Sequence, residues 1–582
     1  MKSWRSLAVS LFALILASRA TAQGTIAGTV SASGTQEPLA GARVTVVGTT
    51  VHAATDEQGR FGLTGLSGTS VTLEVRRIGY KLARIPARVG DDNLRVLLTV
   101  NPTSLEEVVV TGTAGSAQKR ELGNSIGTIN AADVVGEAPI VSLQSLLNGR
   151  TPGVVVLPTA GTIGSGSQIR VRGNASLSLG NNPLLFVDGV RVNNEAATGP
   201  VSQAFGSQPI SRLNDFNPND IESIEILKGP SAATLYGTEA ANGVINIITK
   251  KGRAGAAKWT TMVRGGVNYF ADYRSRFPVN YGPVHLPTDP AGTGTGAITA
   301  VNFDSLLVGA CGSAAATAAG TRCPIYKNGR LQETQVAVSG GTGALTYFAS
   351  GNLLDSHGVE PTNSERHYSG RLNVGLSPSD RFTIGANLGY VGGPTGVPCD
   401  AGCGGYTWTT LSATPLNYNN PARHGFHSSL PYQYDQTVVL WQDLARTTAS
   451  VRFEHQPTSW LSHRLSLGGD LTNEGDNEYD PRVDSLGSLG FRSISERDLT
   501  TKTIDYSANA IWNYKPTLRF TTSAGAQYYA LSVHSVAASG SVFATPGLKS
   551  VTATTTRNPP TEAFSDDKSF GVFLQEQVGW RD

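Results

Sequence analysis

Four cysteines, two histidine groupings and one glycine cluster are the residues whose types and spacing could support chemistry. Cys311 and Cys323 form one pair along the chain, and Cys399 and Cys403 (CDAGC) another. Neither spacing is the C-x-x-C of a zinc ribbon, which argues against a site of four thiolates. An exported chain is expected to close such pairs as disulfides, each within its own loop. His357-Gly358-Val359-Glu360 has the H-x-x-E form of some zinc peptidases, but neither a helix nor a third ligand supports it. His424 and His427 (HGFH) have nothing nearby to complete a coordination shell. Gly161, Gly164 and Gly166 look like a phosphate loop, yet no GK[ST] follows and no helix opens there. No Ser-His-Asp set or carboxylate pair can be assembled. No catalytic residue, metal site or cofactor is therefore expected.

The remaining chemistry belongs to the backbone. Glu107 to Thr111 is a compact strand-forming run between Pro102 and the loop formers Gly112 and Gly115. A short strand in a polar linker has no core of its own to bury itself in. It can add to the edge of a partner's sheet, where main-chain hydrogen bonds supply the affinity. An ordinary interdomain strand is the other reading of this run.

The composition narrows what could position these residues. Across 582 residues, 46 Lys and Arg balance 44 Asp and Glu, a net charge of +2, which excludes the basic excess of a nucleic-acid binder. Only 15% of residues are charged and 67 are glycine, which suits strands and long loops. At the N-terminus Lys2 and Arg5 precede an apolar run from Leu7 to Ala17, and Ala20-Thr21-Ala22 offers a cleavage site before Gln23. Residues 1–22 are read as a signal peptide. No later stretch reaches the ~18 apolar residues of a spanning helix. Any membrane residence must then be as a β-barrel.

Residues 23–101 alternate apolar and polar positions between Gly, Pro and Asp turns and predict a small β-sandwich. Its G-T-V start, TDEQGRF turn and Gly79-Tyr80 resemble the carboxypeptidase-regulatory-like domain, which is not catalytic despite its name. Residues 102–120 form a linker. Residues 121–252 predict a mixed α/β segment, with a short helix around Leu143, Leu146 and Leu147 and a strand at Val154–Val156. A hairpin turning at Asp188-Gly189, a helix start at Pro230-Ser231 and a buried strand over Val244–Thr249 follow.

From residue 258 the period is two. In RHYSGRLNVGL, Tyr368, Leu372, Val374 and Leu376 share one face, while His367, Arg371 and Asn373 share the other. DRFTIGANLGY, TIDYSANAIWNY and LRFTTSAGAQYY do much the same, with Trp512, Tyr514 and Tyr528 expected near strand ends as interfacial aromatics. Strands of about 10 residues, apolar outward and polar inward, are the mark of a transmembrane barrel with a wet interior. A soluble sandwich would need the opposite polarity. A tight turn at residues 340–344 and a long loop at 391–440 suit periplasmic turns and extracellular loops. About nine strands fit into residues 258–582, against the roughly 22 of a plugged transporter barrel. The chain is accordingly expected to be an N-terminal portion, ending within a partial barrel.

LEEVVVTGTA resembles the TonB box of outer-membrane active transporters, which implies a box over Glu106, Glu107, Val108, Val109, Val110, Thr111 and Gly112. The motifs IRVRG, PLLFVDGVRV, DIESIEILKGPSAATLYG and ANGVINIITKKG resemble the TonB-receptor plug, in order. They carry Arg170, Arg172, Gly173, Asp188, Gly189, Lys228, Gly229, Tyr236, Gly237, Asn242 and Gly243 as plug motif residues. The order of signal peptide, regulatory-like domain, box, plug and barrel resembles the SusC/RagA family of TonB-dependent transporters. That resemblance implies import of an oligosaccharide or peptide across the outer membrane. It also implies two partners, the energy transducer TonB and a SusD-like lid lipoprotein, with the barrel in outer-membrane lipid. A siderophore or other metal-chelate receptor is the alternative on the same barrel. Glu239 departs from the family, which often has a basic residue there.

Overall fold

The computed structural model describes residues 24–98, 126–271, 326–398 and 438–580, with short internal breaks of which 201–208 is the longest. It also describes six short strands, at 108–109, 117–118, 279–283, 298–302, 308–309 and 323–324. The signal peptide lies outside the described residues, as do Cys311, Cys399 and Cys403. Of Cys323 only the backbone is described.

The chain divides into two units, residues 1–107 and 108–582. The first is the expected sandwich. Its strands are β1 Gly24–Ala32, β2 Arg43–Val46, β3 His52–Ala54, β4 Arg60–Leu66, β5 Ser70–Arg76, β6 Ala83–Arg88 and β7 Leu94–Leu98. They form a three-stranded sheet, β4-β1-β7, and a four-stranded sheet, β3-β2-β5-β6. Period-two alternation turns Ile26, Val30, Val44, Val46, Leu73, Val75, Val96 and Leu98 into one shared core. The turn into β4 is made by Asp56, whose Oδ1 accepts from the N–H groups of Gln58 (3.0 Å) and Arg60 (2.8 Å). Gly59 sits there at φ 72°, where any Cβ would meet the Val30 carbonyl oxygen at 2.5 Å.

The second unit opens with two-residue strands β8 Val108–Val109 and β9 Ala117–Gln118, paired antiparallel with each other. The central α/β segment then contains β10 Ile126–Asn130, β11 Val154–Pro158, β12 Ser167–Val171, β13 Leu184–Val187, β14 Val190–Val192, β15 Ile221–Leu227 and β16 Val244–Thr249. Five of these form a sheet in the order β10-β15-β16-β13-β14, and β11 pairs with β12. The expected helix spans Leu143–Leu147, started by a Ser142 capping box, and buries Leu143, Leu146 and Leu147. With Ile169, Leu185, Ile224, Ile245 and Ile247 they form the segment's core. The helix expected at Pro230-Ser231 is instead a 3-10 turn, Gly229–Ala232.

The remainder is one antiparallel sheet. It begins with β17 Gly255–Asn268, after which β18 Val279–Pro283, β19 Ile298–Asn302, β20 Val308–Gly309 and β21 Cys323–Pro324 pair off separately. It continues through β22 Gly329–Gly341, β23 Leu345–His357, β24 Ser364–Ser379, β25 Phe382–Val397, β26 Val439–Thr458, β27 Leu461–Asp480, β28 Phe491–Lys515 and β29 Leu518–Phe543. Both β30 Thr554–Arg557 and β31 Thr561–Trp580 pair with β29. The sheet holds eleven strands where the alternation predicts about nine. The strands reach 26 residues rather than about ten. Tyr528 therefore lies well inside β29, and the long connection runs from 398 to 438 because β25 continues to Val397. Among the described residues no helix is long and apolar enough to cross a membrane.

The two faces of this sheet differ in chemistry as expected. Leu372, Leu388, Leu467, Leu471, Ile504 and Val451 are exposed on the outer face. Asn373, Gln442, Arg446, Asp470 and Glu474 point inward and are buried, packed against the α/β segment.

Candidate functional site

The α/β segment is seated on the inner face of the large sheet through arginines and carboxylates. The alternation of β26 sends Gln442, Arg446 and Arg452 inward from three levels of one strand. Arg446 is 2% exposed and uses all five of its N–H donors. Nε and Nη2 donate to Asp470 Oδ1 (2.9 Å) and Oδ2 (3.0 Å) of β27. Nη1 donates to Asp215 Oδ2 (2.7 Å) and to the Arg212 carbonyl (3.2 Å), both in the 3-10 turn Arg212–Asp215. Nη2 also donates to the Asn193 carbonyl at 2.8 Å. The guanidinium lies 4.7 Å over the Phe216 ring. A buried cation is tolerable only with such complete pairing.

Around it, Arg212 of the segment donates to Gln442 Oε1 (2.5 Å) and lies 3.5 Å from Glu474. Arg497 of β28 grips Glu195 with both arms of its fork, at 2.5 and 2.8 Å. A second cluster sits nearer the strand ends close to residue 250. Asp220 accepts from Ser350 (2.7 Å) and Gln335 (3.1 Å), and Arg371 stands 4.0 Å from it and 3.7 Å from Asp188. Burial pushes the Asp220 carboxyl above its ordinary range, with Arg371 pulling the other way. Burial also pushes the Tyr236 hydroxyl up.

Most residues of the plug-like motifs shape the α/β segment itself, and Asp188 also bonds to the sheet. Asp188 (φ 49°) and Gly189 (φ 86°) form the turn between β13 and β14. The Asp188 carboxylate accepts from Thr249 N (3.0 Å) and Oγ1 (2.6 Å), tying that turn to β16. Its carbonyl accepts from Arg452 of the sheet at 2.6 Å. Tyr236 packs 4.9 Å from Phe186, whose ring is 6.0 Å from that of Tyr529 in β29. Arg170 donates to Gln168, Asn174 and Asn182. Arg172 (φ 59°), Gly173 (φ 90°), Gly229 (φ 76°), Gly237 (φ 81°) and Gly243 (φ 93°) hold turns that need a positive φ. Asn242 Nδ2 donates to the Gly180 carbonyl at 2.8 Å, and Lys228 is buried. The atypical Glu239 forms an ion pair with Arg191.

The strand-forming run at 106–112 is described only at Val108 and Val109, which pair with Gln118 and Ala117. Of the other site candidates, His424 and His427 lie outside the described residues. His357 contacts Asp355 at 3.1 Å, Glu360 is buried in the turn beyond it, and no cluster of metal-binding side chains occurs among the described residues. Reading the sequence missed Arg212, Asp215, Asp220, Arg371, Arg446, Asp470 and Arg497. For Arg371, Arg446, Asp470 and Arg497 the only signal was a charge at an inward position of an alternating strand, and Arg212, Asp215 and Asp220, in 3-10 turns, had none.

Residues 118–244 match the TonB-dependent receptor plug domain, and residues 26–110 match the carboxypeptidase-regulatory-like domain. The chain is 30% identical over 425 residues to the TonB-dependent receptor SusC of Bacteroides thetaiotaomicron, covering 71% of this chain and 37% of that protein. It is 26% identical to the TonB-dependent receptor P26 of Formosa agariphila, covering 86% and 47%. It thus spans less than half the length of these relatives. Receptors for rhizobactin and for ferric enterobactin match over only 28% and 29% of the chain. Among solved structures, the RagAB peptide importer in its open-open state aligns with 82% of this chain and 55% of its own, at a TM-score of 0.64 and 20% identity.

Proposed function

Because the chain belongs to the SusC/RagA family of TonB-dependent receptors, we propose that it works in the energised import of an oligosaccharide or peptide across the bacterial outer membrane. The observation that carries this reading is the seat itself. A folded α/β plug is held on the polar face of a long antiparallel wall by ion pairs and hydrogen bonds, with an apolar face turned outward. Such a plug blocks passage at rest and can be loosened without breaking a covalent bond.

In this reading the sheet is part of an outer-membrane barrel, and the plug and N-terminal sandwich lie on its periplasmic side. Substrate binds above the plug under a SusD-like lid lipoprotein. The box Glu106–Gly112 then becomes available to TonB, which pairs with it as an added strand and pulls. The two-residue pairing of Val108–Val109 with Ala117–Gln118 is a small obstacle to that exchange. Transport on this account is mechanical, and no residue is assigned a catalytic role. A siderophore cargo has in its favour only matches over less than a third of the chain.

Replacing Val109 with Pro removes a backbone donor from the box. Energised uptake is expected to be lost while substrate binding at the cell surface persists. Unchanged uptake would count decisively against the box.

A further inference from the structure

The outer face of the four-stranded sheet in the N-terminal sandwich carries a charge pattern that folding does not require. Alternation buries Val44, Leu73, Val75 and Ala87. It turns Arg43 of β2, Arg76 of β5, and Arg84 and Arg88 of β6 to the other side, where all four are exposed. Arg43 and Arg76 are direct cross-strand partners. Like charges placed opposite one another weaken a sheet. One carboxylate relieves the cluster: Glu74 pairs with Arg76 (2.6 Å) and Arg84 (2.8 Å). Among the described residues the guanidiniums of Arg43 and Arg88 are in no ion pair, although the Asp91 carboxylate accepts from the Arg88 backbone N–H at 3.0 Å. Every fixed cation on the face is arginine, whose planar fork suits phosphate and carboxylate. The second sheet carries two exposed arginines on its outer face, Arg60 and Arg95, on either side of Thr29, against four here.

We propose that this arginine face docks onto a bilayer surface bearing anionic phospholipid headgroups. Three observations favour lipid over an acidic protein. The face offers no aromatic side chain and one exposed apolar residue at its margin, Val47, so it lacks the clustered, desolvated anchors that dominate protein interfaces. Arg43 and Arg76 stand opposite each other, about 5 Å apart across strands, and Arg84 and Arg88 are four residues, about 13 Å, apart along β6, a spread that suits an array of phosphates better than one ligand. Finally, the linker expected at residues 102–120 joins the domain to the rest of the chain. On the proposed reading the second unit sits in the outer membrane, and the inference rests on that reading. Tethering raises the effective concentration of the membrane's periplasmic leaflet, so a weak contact per arginine is enough. Docking would hold the sandwich, and with it the start of the linker, against the leaflet.

The sandwich has its own complete core, so residues 24–101 can be tested alone. Co-sedimentation with phosphatidylcholine vesicles containing 30 mol% phosphatidylglycerol is expected to show binding that weakens steeply with salt. Pure phosphatidylcholine vesicles should not bind. The double variant Arg43→Gln/Arg88→Gln leaves both Glu74 ion pairs intact. It is expected to melt like the parent and to lose roughly fivefold in vesicle affinity per arginine. Equal binding to both vesicle types, or an unchanged double variant, would overturn the proposal. So would binding to a polyglutamate peptide without binding to the vesicles. The assay contains no barrel, so it fails or succeeds independently of the transporter reading, which membrane extraction of the full chain tests separately.

Discussion

Truncating Arg446 would strand two carboxylates in a site closed to water. Asp215 and Asp470 would face each other with the cation between them gone. Breaking a buried pair in this way costs about 3–5 kcal/mol, so Arg446→Ala should lower the denaturant midpoint for release of the plug and speed proteolysis around residues 193–216. Asp220 makes the stability of the plug depend on pH. Burial raises its pKa in the folded state, so the folded plug binds that proton more tightly than the unfolded chain does. Stability from this group is therefore greatest on the acid side and falls as pH rises through the raised pKa. Thermal melts from the ordinary aspartate range upward in pH should show this slope in the parent, and Asp220→Asn should flatten it. These residues were illegible in the sequence for a physical reason. Alternation tells that Arg446 faces inward, but Asp215 lies 231 positions away and nothing local pairs them. The cysteine reading is testable without the fold: non-reducing peptide mapping should find Cys311 joined to Cys323 and Cys399 joined to Cys403. Four free thiols would refute it.

At the level of elements the sequence was far more informative, because turn chemistry and period are local. Asp188-Gly189 between two apolar runs announced a hairpin, and the chain turns there with both residues at positive φ. Leu143, Leu146 and Leu147 at helical spacing announced the helix. Strand length was less legible. Alternation persists past the point where a bilayer needs it, so period alone does not show where β28 and β29 stop. Gly243 is a sharp test of the turn reading. Its φ is 93°, and an added Cβ would meet the Leu227 carbonyl oxygen at 2.8 Å. Gly243→Ala should cost about 1–3 kcal/mol and loosen the start of β16, seen as faster amide exchange in β15 and β16.

For the molecule as a whole, the two halves of the second unit should behave differently when separated. Residues 121–252 carry their own apolar core and are expected to give a soluble domain with a cooperative melt. Residues 258–582 present apolar side chains outward, and β17 and β31 each pair on one side only. That segment is expected to aggregate in water, and a sharp melting transition from a soluble monomer would instead mean a sandwich. The plug's sheet order has one more consequence. β10 is an edge strand, joined to β15 by five residue pairs from Ile126↔Leu227 to Asn130↔Ser223, and it is the first strand of that sheet to follow the linker. A pull on the linker therefore reaches Ile126 before it reaches the arginine clamps, and strips those pairs one after another rather than shearing the sheet at once. The protein thus contains a mechanical fuse. In an optical trap, once the two-residue pairing of β8 with β9 has parted, the next yield should release only β10 and a short tail, leaving β15, β16 and the Arg446 clamp still bearing load.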